Sequence, residues 1–169
     1  RQRKDVKGPE AIVKDLRKDV KEFPGPWVLV PRGARKAGTV ALIEEEGVIV
    51  STNFIMVGLG SVRANRILAS WILSVFGQLQ LENACTNQEG MRKLELGPVR
   101  ELRCPDFSAL PGETASALAE RVLAEEPLSF EDPVLRPLDY LWAEALDPGN
   151  GPRLAAEASR LRPGESGLL

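Results

Sequence analysis

Three cations stand within five residues in the segment Arg32-Gly33-Ala34-Arg35-Lys36, which connects two apolar runs. The planar guanidinium of arginine matches the two acceptors of a guanine edge, and both arginine and lysine bind phosphate. Gly33 and Gly38 give this connection backbone freedom. The segment is therefore a candidate nucleic-acid contact through Arg32, Arg35 and Lys36. The alternative is a loop whose charges serve only solubility.

A second polar run, from residue 86 to residue 93, combines amide and cationic side chains. Asn87 and Gln88 offer the donor and acceptor pair that bonds adenine, while Arg92 and Lys93 can bond guanine or phosphate. The same composition is typical of an ordinary surface loop, so the residues alone leave both interpretations open.

The composition excludes several kinds of catalytic site. The chain has no histidine, which removes serine–histidine and cysteine–histidine chemistry and the commonest metal ligand. Cys85 and Cys104 are the two cysteines, and they lack the CxxC spacing of a zinc site. We expect incidental thiols, a reducing cytoplasmic setting and no membrane span.

Charge is distributed unevenly along the 169 residues, although the net charge is −2. Residues 1–66 carry 13 Lys and Arg against 8 Asp and Glu, residues 67–104 carry 4 against 4, and residues 105–169 carry 5 against 12. A basic first part can face phosphates while an acidic tail faces elsewhere. Two independently solvated surfaces would give the same counts.

Apolar periodicity predicts an α+β fold, with a small twisted, mostly antiparallel sheet packed on a long helix and a helical C-terminal extension. Arg63 and Arg66 stand near the start of that long helix, where we expect phosphate contacts. The predicted elements are a helix over 9–23, strands over 27–31, 39–43 and 48–57, a turn over 44–47 that closes a hairpin, a helix over 64–82, two short strands within 93–104, and helices over 113–126, 133–146 and 152–161.

Prolines and a change of composition predict three parts. Residues 1–26 form an N-terminal helix and linker, residues 27–105 an α+β core, and residues 106–169 an acidic helical tail that can pack against the core. Trp71 and Trp142 lie in apolar patterns, which favours packing over base stacking.

Four segments of the core resemble the target recognition domains of type I restriction–modification specificity subunits and related adenine-specific DNA methyltransferases. In this sequence they read WVLVPR at 27–32, STNFIMV at 51–57, ILASWILSVFGQLQLE at 67–82 and GMRKLELGPVRELRCP at 90–105. Leu73 stands where the family often has Asn, and Cys104 where it has Val. The resemblance covers a little under half of the chain.

The resemblance implies that this chain binds duplex DNA sequence-specifically, without catalysing a reaction itself, as part of a restriction–modification methyltransferase. The family's catalytic domain or subunit binds S-adenosylmethionine and carries an Asn/Asp-Pro-Pro-Tyr/Phe motif, which this sequence lacks. We therefore expect no cofactor in this chain and a methyltransferase domain or subunit as its partner. A protein-interaction module without DNA contact and a small nuclease fragment are the rival hypotheses.

Overall fold

The computed structural model of the chain describes residues 24–35, 37–38, 40–44, 50–88, 91–126, 128–129 and 134–161. Its strands are β1 (Trp27–Pro31), β2 (Gly33–Ala34), β3 (Ala37–Gly38), β4 (Ala41–Ile43), β5 (Phe54–Val57), β6 (Thr86–Gln88), β7 (Met91–Lys93) and β8 (Leu128–Ser129). Its α-helices are α1 (Val62–Leu73), α2 (Val75–Ala84), α3 (Leu96–Arg100), α4 (Gly112–Arg121), α5 (Pro137–Leu146) and α6 (Gly151–Arg160). The predicted α+β class is confirmed. The predicted helix over 9–23 lies outside the described residues.

The central sheet is antiparallel and has the order β4-β1-β5. β1 occupies the centre because Val28, Leu29 and Val30 are all buried, as expected of a strand that is paired on both edges. The prediction that strands 39–43 and 48–57 pair as a hairpin is wrong in its pairing, since β4 and β5 each pair with β1. Strand β5 is also shorter than predicted and begins at Phe54.

Two smaller antiparallel sheets flank the central one. The first has the order β2-β7-β6, and the second pairs β3 with β8. The run over 86–93, expected as a loop, therefore supplies two strands. The second strand predicted within 93–104 is replaced by the short helix α3.

The long helix predicted over 64–82 is two helices that meet at Ser74. Ser74 has an extended backbone, and its hydroxyl accepts a hydrogen bond from the Gly77 N–H, which makes it the N-cap of α2. A Cβ at Gly77 would lie 2.1 Å from the carbonyl oxygen of Trp71, so only glycine permits this close approach of the two helix ends.

The main hydrophobic core lies between β1, α1, α4 and α5. The tail helices predicted over 113–126, 133–146 and 152–161 are confirmed as α4, α5 and α6; α4 and α5 are shorter than predicted, and α6 is shifted by one residue. Trp142 of α5 is fully buried and packs edge-to-face on Trp71 of α1, with ring centroids 5.0 Å apart. Core packing thus extends into the predicted tail, and the predicted domain boundaries stay a prediction.

Candidate nucleic-acid interface

The β2-β7-β6 sheet, called here the cationic sheet, brings the two polar segments of the sequence together. Ala34 pairs with Arg92, and Gly33 pairs with Lys93. On the other edge of β7, Arg92 pairs with Asn87. Paired Cα atoms of an antiparallel ladder are about 5 Å apart. Two segments nearly 60 residues apart in the chain therefore converge at one place.

Strand register divides the cationic sheet into two faces, because successive side chains of a strand point to opposite sides and paired residues share a side. Ala34 and Arg92 share one face with Leu94, which is buried, and these three residues line a small cavity together with Leu81 and Cys85 of the helix side. We call this the helix-side face.

The opposite face carries Gly33, Thr86, Met91 and Lys93, and we call it the outer face. Gly33 and Thr86 are exposed, and Met91 and Lys93 are half-buried. A Cβ at Gly33 would lie 3.0 Å from the Met91 sulfur, which places Met91 across this face. The side chains of Asn87 and Gln88, and the whole of Lys36, lie outside the described part of the chain.

Positive charge dominates the described residues of the two segments. Residues 32–35 and 91–95 hold four cations (Arg32, Arg35, Arg92, Lys93) and one acid (Glu95), a net charge of +3. Arg35 is exposed, at the bend where β2 ends. Although β3 then pairs with β8 of the tail, this pairing does not bury Arg35.

Arg32 anchors the cationic sheet to the central sheet. Its backbone N–H donates to the Asn53 carbonyl at 2.8 Å, and its own carbonyl accepts from the Leu94 N–H at 2.8 Å. Its guanidinium lies 3.7 Å from the Glu95 carboxylate, and both side chains are well exposed. Among the described residues, its Nε atom is buried and lacks a hydrogen-bond partner.

Cys85 lies beneath the helix-side face, immediately before β6. Burial raises the pKa of the Cys85 thiol; nearby Arg92 lowers this pKa, and Glu82 raises it. Arg92 and Glu82 therefore both lie close enough to Cys85 to act on its charge.

Arg63 and Arg66 lie in another part of the molecule. Arg66 binds both carboxylate oxygens of Glu44, at 2.6 and 2.8 Å, and these hydrogen bonds lower the pKa of Glu44. Glu44 follows β4, whose Ile43 pairs with the first residue of β1, whereas Arg32 follows the last. Five strand residues span about 16 Å, so Arg66 and the cationic sheet lie towards opposite ends of β1.

Arg63 joins α1 to α4. Its guanidinium donates to the Gly112 carbonyl at 3.3 Å and to the Ser116 hydroxyl at 3.1 Å. The structure therefore does not bring Arg63 and Arg66 together with the other candidate residues. Their predicted phosphate contacts stay a prediction.

Sequence reasoning missed Thr86 as a candidate site residue. The signal was present, because two short polar runs separated by two residues that include Gly90 form a hairpin pattern. Treating the whole run as a loop concealed the alternation that puts Thr86 beside Lys93.

The described residues contain no group of three His, Cys, Asp or Glu side chains that could hold a metal ion. In the same part of the chain, no helix has the length and apolar character needed to cross a membrane. Cys85 and Cys104 are free thiols.

Comparisons with known proteins give one family and one solved structure. The family described as "Restriction endonuclease BpuSI, specificity domain" matches residues 1–130. The crystal structure of the type IIG restriction endonuclease BpuSI matches with a TM-score of 0.82 and 31% sequence identity. That match covers 94% of this chain and 18% of the BpuSI chain. No curated protein matches the sequence.

Proposed function

The chain belongs to the family of BpuSI-type restriction endonuclease specificity domains, and on that premise we propose that it reads a DNA target by binding duplex DNA through the cationic sheet. As a member of this family it serves target recognition in a restriction–modification system. It spans 18% of the length of the related enzyme. Methyl transfer to adenine, binding of S-adenosylmethionine and any cleavage belong, in this proposal, to the rest of a larger enzyme.

One observation carries the proposal: the pairing of Ala34 with Arg92 unites both candidate segments in one cationic sheet. A sheet of this kind can position cations against the regularly spaced phosphates of a duplex, while neighbouring polar side chains reach base edges. The acidic tail would be repelled by phosphate, so in this proposal it faces the larger enzyme.

The state of Arg32 also supports a polyanionic ligand. Its contact with Glu95 is exposed and long, at 3.7 Å, so it contributes little. A phosphate oxygen would satisfy the guanidinium without breaking a strong internal interaction.

Replacing both Arg35 and Lys36 with alanine should weaken DNA binding, because Arg35 is exposed beside the sheet and Lys36 follows it in sequence. Each lost phosphate contact reduces the steepness of the slope of log affinity against log salt concentration by about 0.9. The slope of the double variant should therefore be less steep by up to about 1.8. Fluorescence anisotropy of a labelled mixed-sequence duplex, titrated at several salt concentrations, measures both quantities.

The matched control replaces Arg153 and Arg160 with alanine, which removes the same charge from exposed positions on α6. This control should change the salt slope far less. Equal losses in the two double variants would contradict a local contact at Arg35 and Lys36. Absence of duplex binding by the unchanged chain at low salt would contradict the proposed function itself.

A further inference from the structure

We infer that the outer face of the cationic sheet enters the DNA major groove, with Thr86 and Lys93 at the DNA surface, while Arg92 positions the sheet from the helix side. This inference rests on the proposed function and specifies which side of the sheet performs it. Four of the candidate residues identified from the sequence belong to one polar run, at positions 87, 88, 92 and 93. Strand register divides this run between the two faces of the sheet.

Strand register and exposure agree on the division. Thr86 and Lys93 are directly paired and therefore share a face, and Thr86 is exposed. Arg92 lies on the other face, which Leu94 closes with a side chain that is only 4% exposed. A duplex approaching the helix-side face would have to displace helix α2, whereas Gly33 and Thr86 are already open to solvent.

The dimensions of the cationic sheet fit the major groove. Neighbouring strands are about 4.8 Å apart, so the β6–β7 hairpin is a two-stranded ribbon of the kind that a groove about 12 Å wide admits. β6 forms one edge of the sheet, and β7 lies between β6 and β2. The ribbon, and not one of the helices, is therefore the element that we place in the groove.

Glycine at position 33 adds no side chain to the outer face beside β7. Gly33 pairs with Lys93 but contributes no side chain, and the atom nearest to its missing Cβ is the sulfur of Met91. The Met91 side chain lies against this position, in the space that a larger side chain at 33 would need. Lys93 is paired with both Gly33 and the exposed Thr86, so its side chain leaves the middle strand on this same face.

The cleft between α1 and α4 is the competing surface, and it fits DNA less well. Arg63 already donates to two acceptors on α4, and Arg66 is held by Glu44. Glu120 lines the same cleft and would repel phosphate. Glu44 and Glu120 thus place two carboxylates beside the cations of this cleft, whereas residues 32–35 and 91–95 include a single acid, Glu95.

A charge series at Thr86 tests the inference, because Thr86 is exposed and a substitution there leaves the core unchanged. Thr86→Lys should tighten binding to the duplex and steepen the salt slope by about 0.9, and Thr86→Glu should weaken binding tenfold or more. The matched series is Leu123→Lys and Leu123→Glu at a position that is 57% exposed on the tail. Sign-dependent changes at 86 that exceed those at 123 support the outer face, and equal changes overturn it.

Arg92→Gln and Lys93→Gln distinguish the two faces directly. Lys93→Gln should reduce the salt slope by about 0.9 and leave the reactivity of Cys85 unchanged. Arg92→Gln should shift the alkylation of Cys85 to higher pH, because Arg92 lowers the pKa of that thiol, and should reduce the salt slope less than Lys93→Gln. Peptide mapping by mass spectrometry separates Cys85 from Cys104.

The reverse result would overturn the inference while leaving DNA recognition intact. In that result Arg92→Gln loses more of the salt slope, and Lys93→Gln shifts the pH at which Cys85 is alkylated. Failure of the unchanged full chain to bind duplex DNA at low salt would instead reject the proposed function. The two failures are therefore distinguishable in one set of titrations.

Discussion

Asp139 joins three helices through one carboxylate. It is fully buried, its Oδ1 accepts the N–H of Val75 at 2.6 Å, and its Oδ2 accepts the backbone N–H of Arg136 at 2.8 Å. The Arg136 guanidinium also binds this carboxylate and donates to the carbonyl of Leu73. One ion pair thus provides hydrogen-bond partners for backbone groups at the end of α1 and at the start of both α2 and α5. These groups lie where the chain changes direction between α1 and α2.

Replacing Asp139 with alanine should lower the free energy of unfolding by about 3 to 5 kcal/mol, because it leaves Arg136 buried with a weakened counter-charge. Glu125 remains 3.8 Å from Arg136 and limits the loss. Urea-induced unfolding measures the effect.

Glu157→Ala is the matched control, since its partner Arg153 is 81% exposed and an exposed pair contributes under about 1 kcal/mol. Similar losses in the two variants would show that the Asp139 carboxylate has no special structural role.

At the scale of secondary structure, the junction of α1 and α2 determines where the cationic sheet can form. Ser74 ends one helix and caps the next, and α2 then leads directly through Cys85 into β6. The direction of α2 therefore sets the direction of the hairpin. Gln80 strengthens the arrangement, because its amide both donates to and accepts from the backbone of Arg103, at 2.9 and 2.8 Å.

Gly77→Ala should destabilise the protein by about 3 kcal/mol or more, although alanine is the better helix former. The new Cβ would lie 2.1 Å from a backbone oxygen and 2.8 Å from the Cα of Ile72, and neither atom is a flexible side-chain end. The midpoint of thermal unfolding, followed by circular dichroism, measures the loss.

Gly97→Ala provides the comparison within α3, since a Cβ there would meet nothing within 4 Å. Its stability should remain equal to that of the parent or rise slightly. An unaltered midpoint in Gly77→Ala would mean that the helix junction is looser than the structure indicates.

For the molecule as a whole, the tail is part of the packing that supports the site. Trp142 donates its indole N–H to the Ser70 hydroxyl at 3.1 Å, and Leu118 and Leu138 are fully buried in the same core cluster as Val28 of β1. The same tail carries 12 acids against 5 bases over residues 105–169. The tail therefore supports the central sheet from within the core, while its net charge is negative.

Because this core is shared, we expect a single cooperative unfolding transition for the described elements. Tryptophan fluorescence and far-ultraviolet circular dichroism should give coinciding midpoints in urea, and Trp142→Ala should lower both together. A fluorescence midpoint well separated from the dichroism midpoint would indicate that the tail unfolds independently.

Local patterns were sufficient to predict much of the fold. The apolar run from Trp27 to Pro31 predicts β1 with its observed bounds, and apolar periodicity predicts α5 and α6 to within a few residues. The resemblance to target recognition domains, drawn from four short segments, is confirmed by the family match. These predictions succeed because they depend on neighbours in the chain.

Other features depend on residues that are distant in sequence and were predicted wrongly or missed. The break at Ser74 requires the contact of Gly77 with the end of α1, and the pairing of β4 and β5 with β1 requires one strand to be shared. The sequence predicts two separate loops at 32–36 and 86–93, whereas pairing makes the described parts of both segments strands of one sheet.

By itself, the sequence determined the class of the fold through its apolar periodicity, the family through the resemblance of four short segments, and the residue types available to bind a polyanion through its composition. Only the tertiary structure decided that the segments 32–35 and 91–93 join in one sheet while Arg63 and Arg66 lie elsewhere, and that Arg92 and Lys93 point to opposite faces of that sheet. The physical reason is strand register: a shift of one residue in pairing exchanges the two faces, and that register is fixed by the buried side chains of Leu94 and its neighbours in the core.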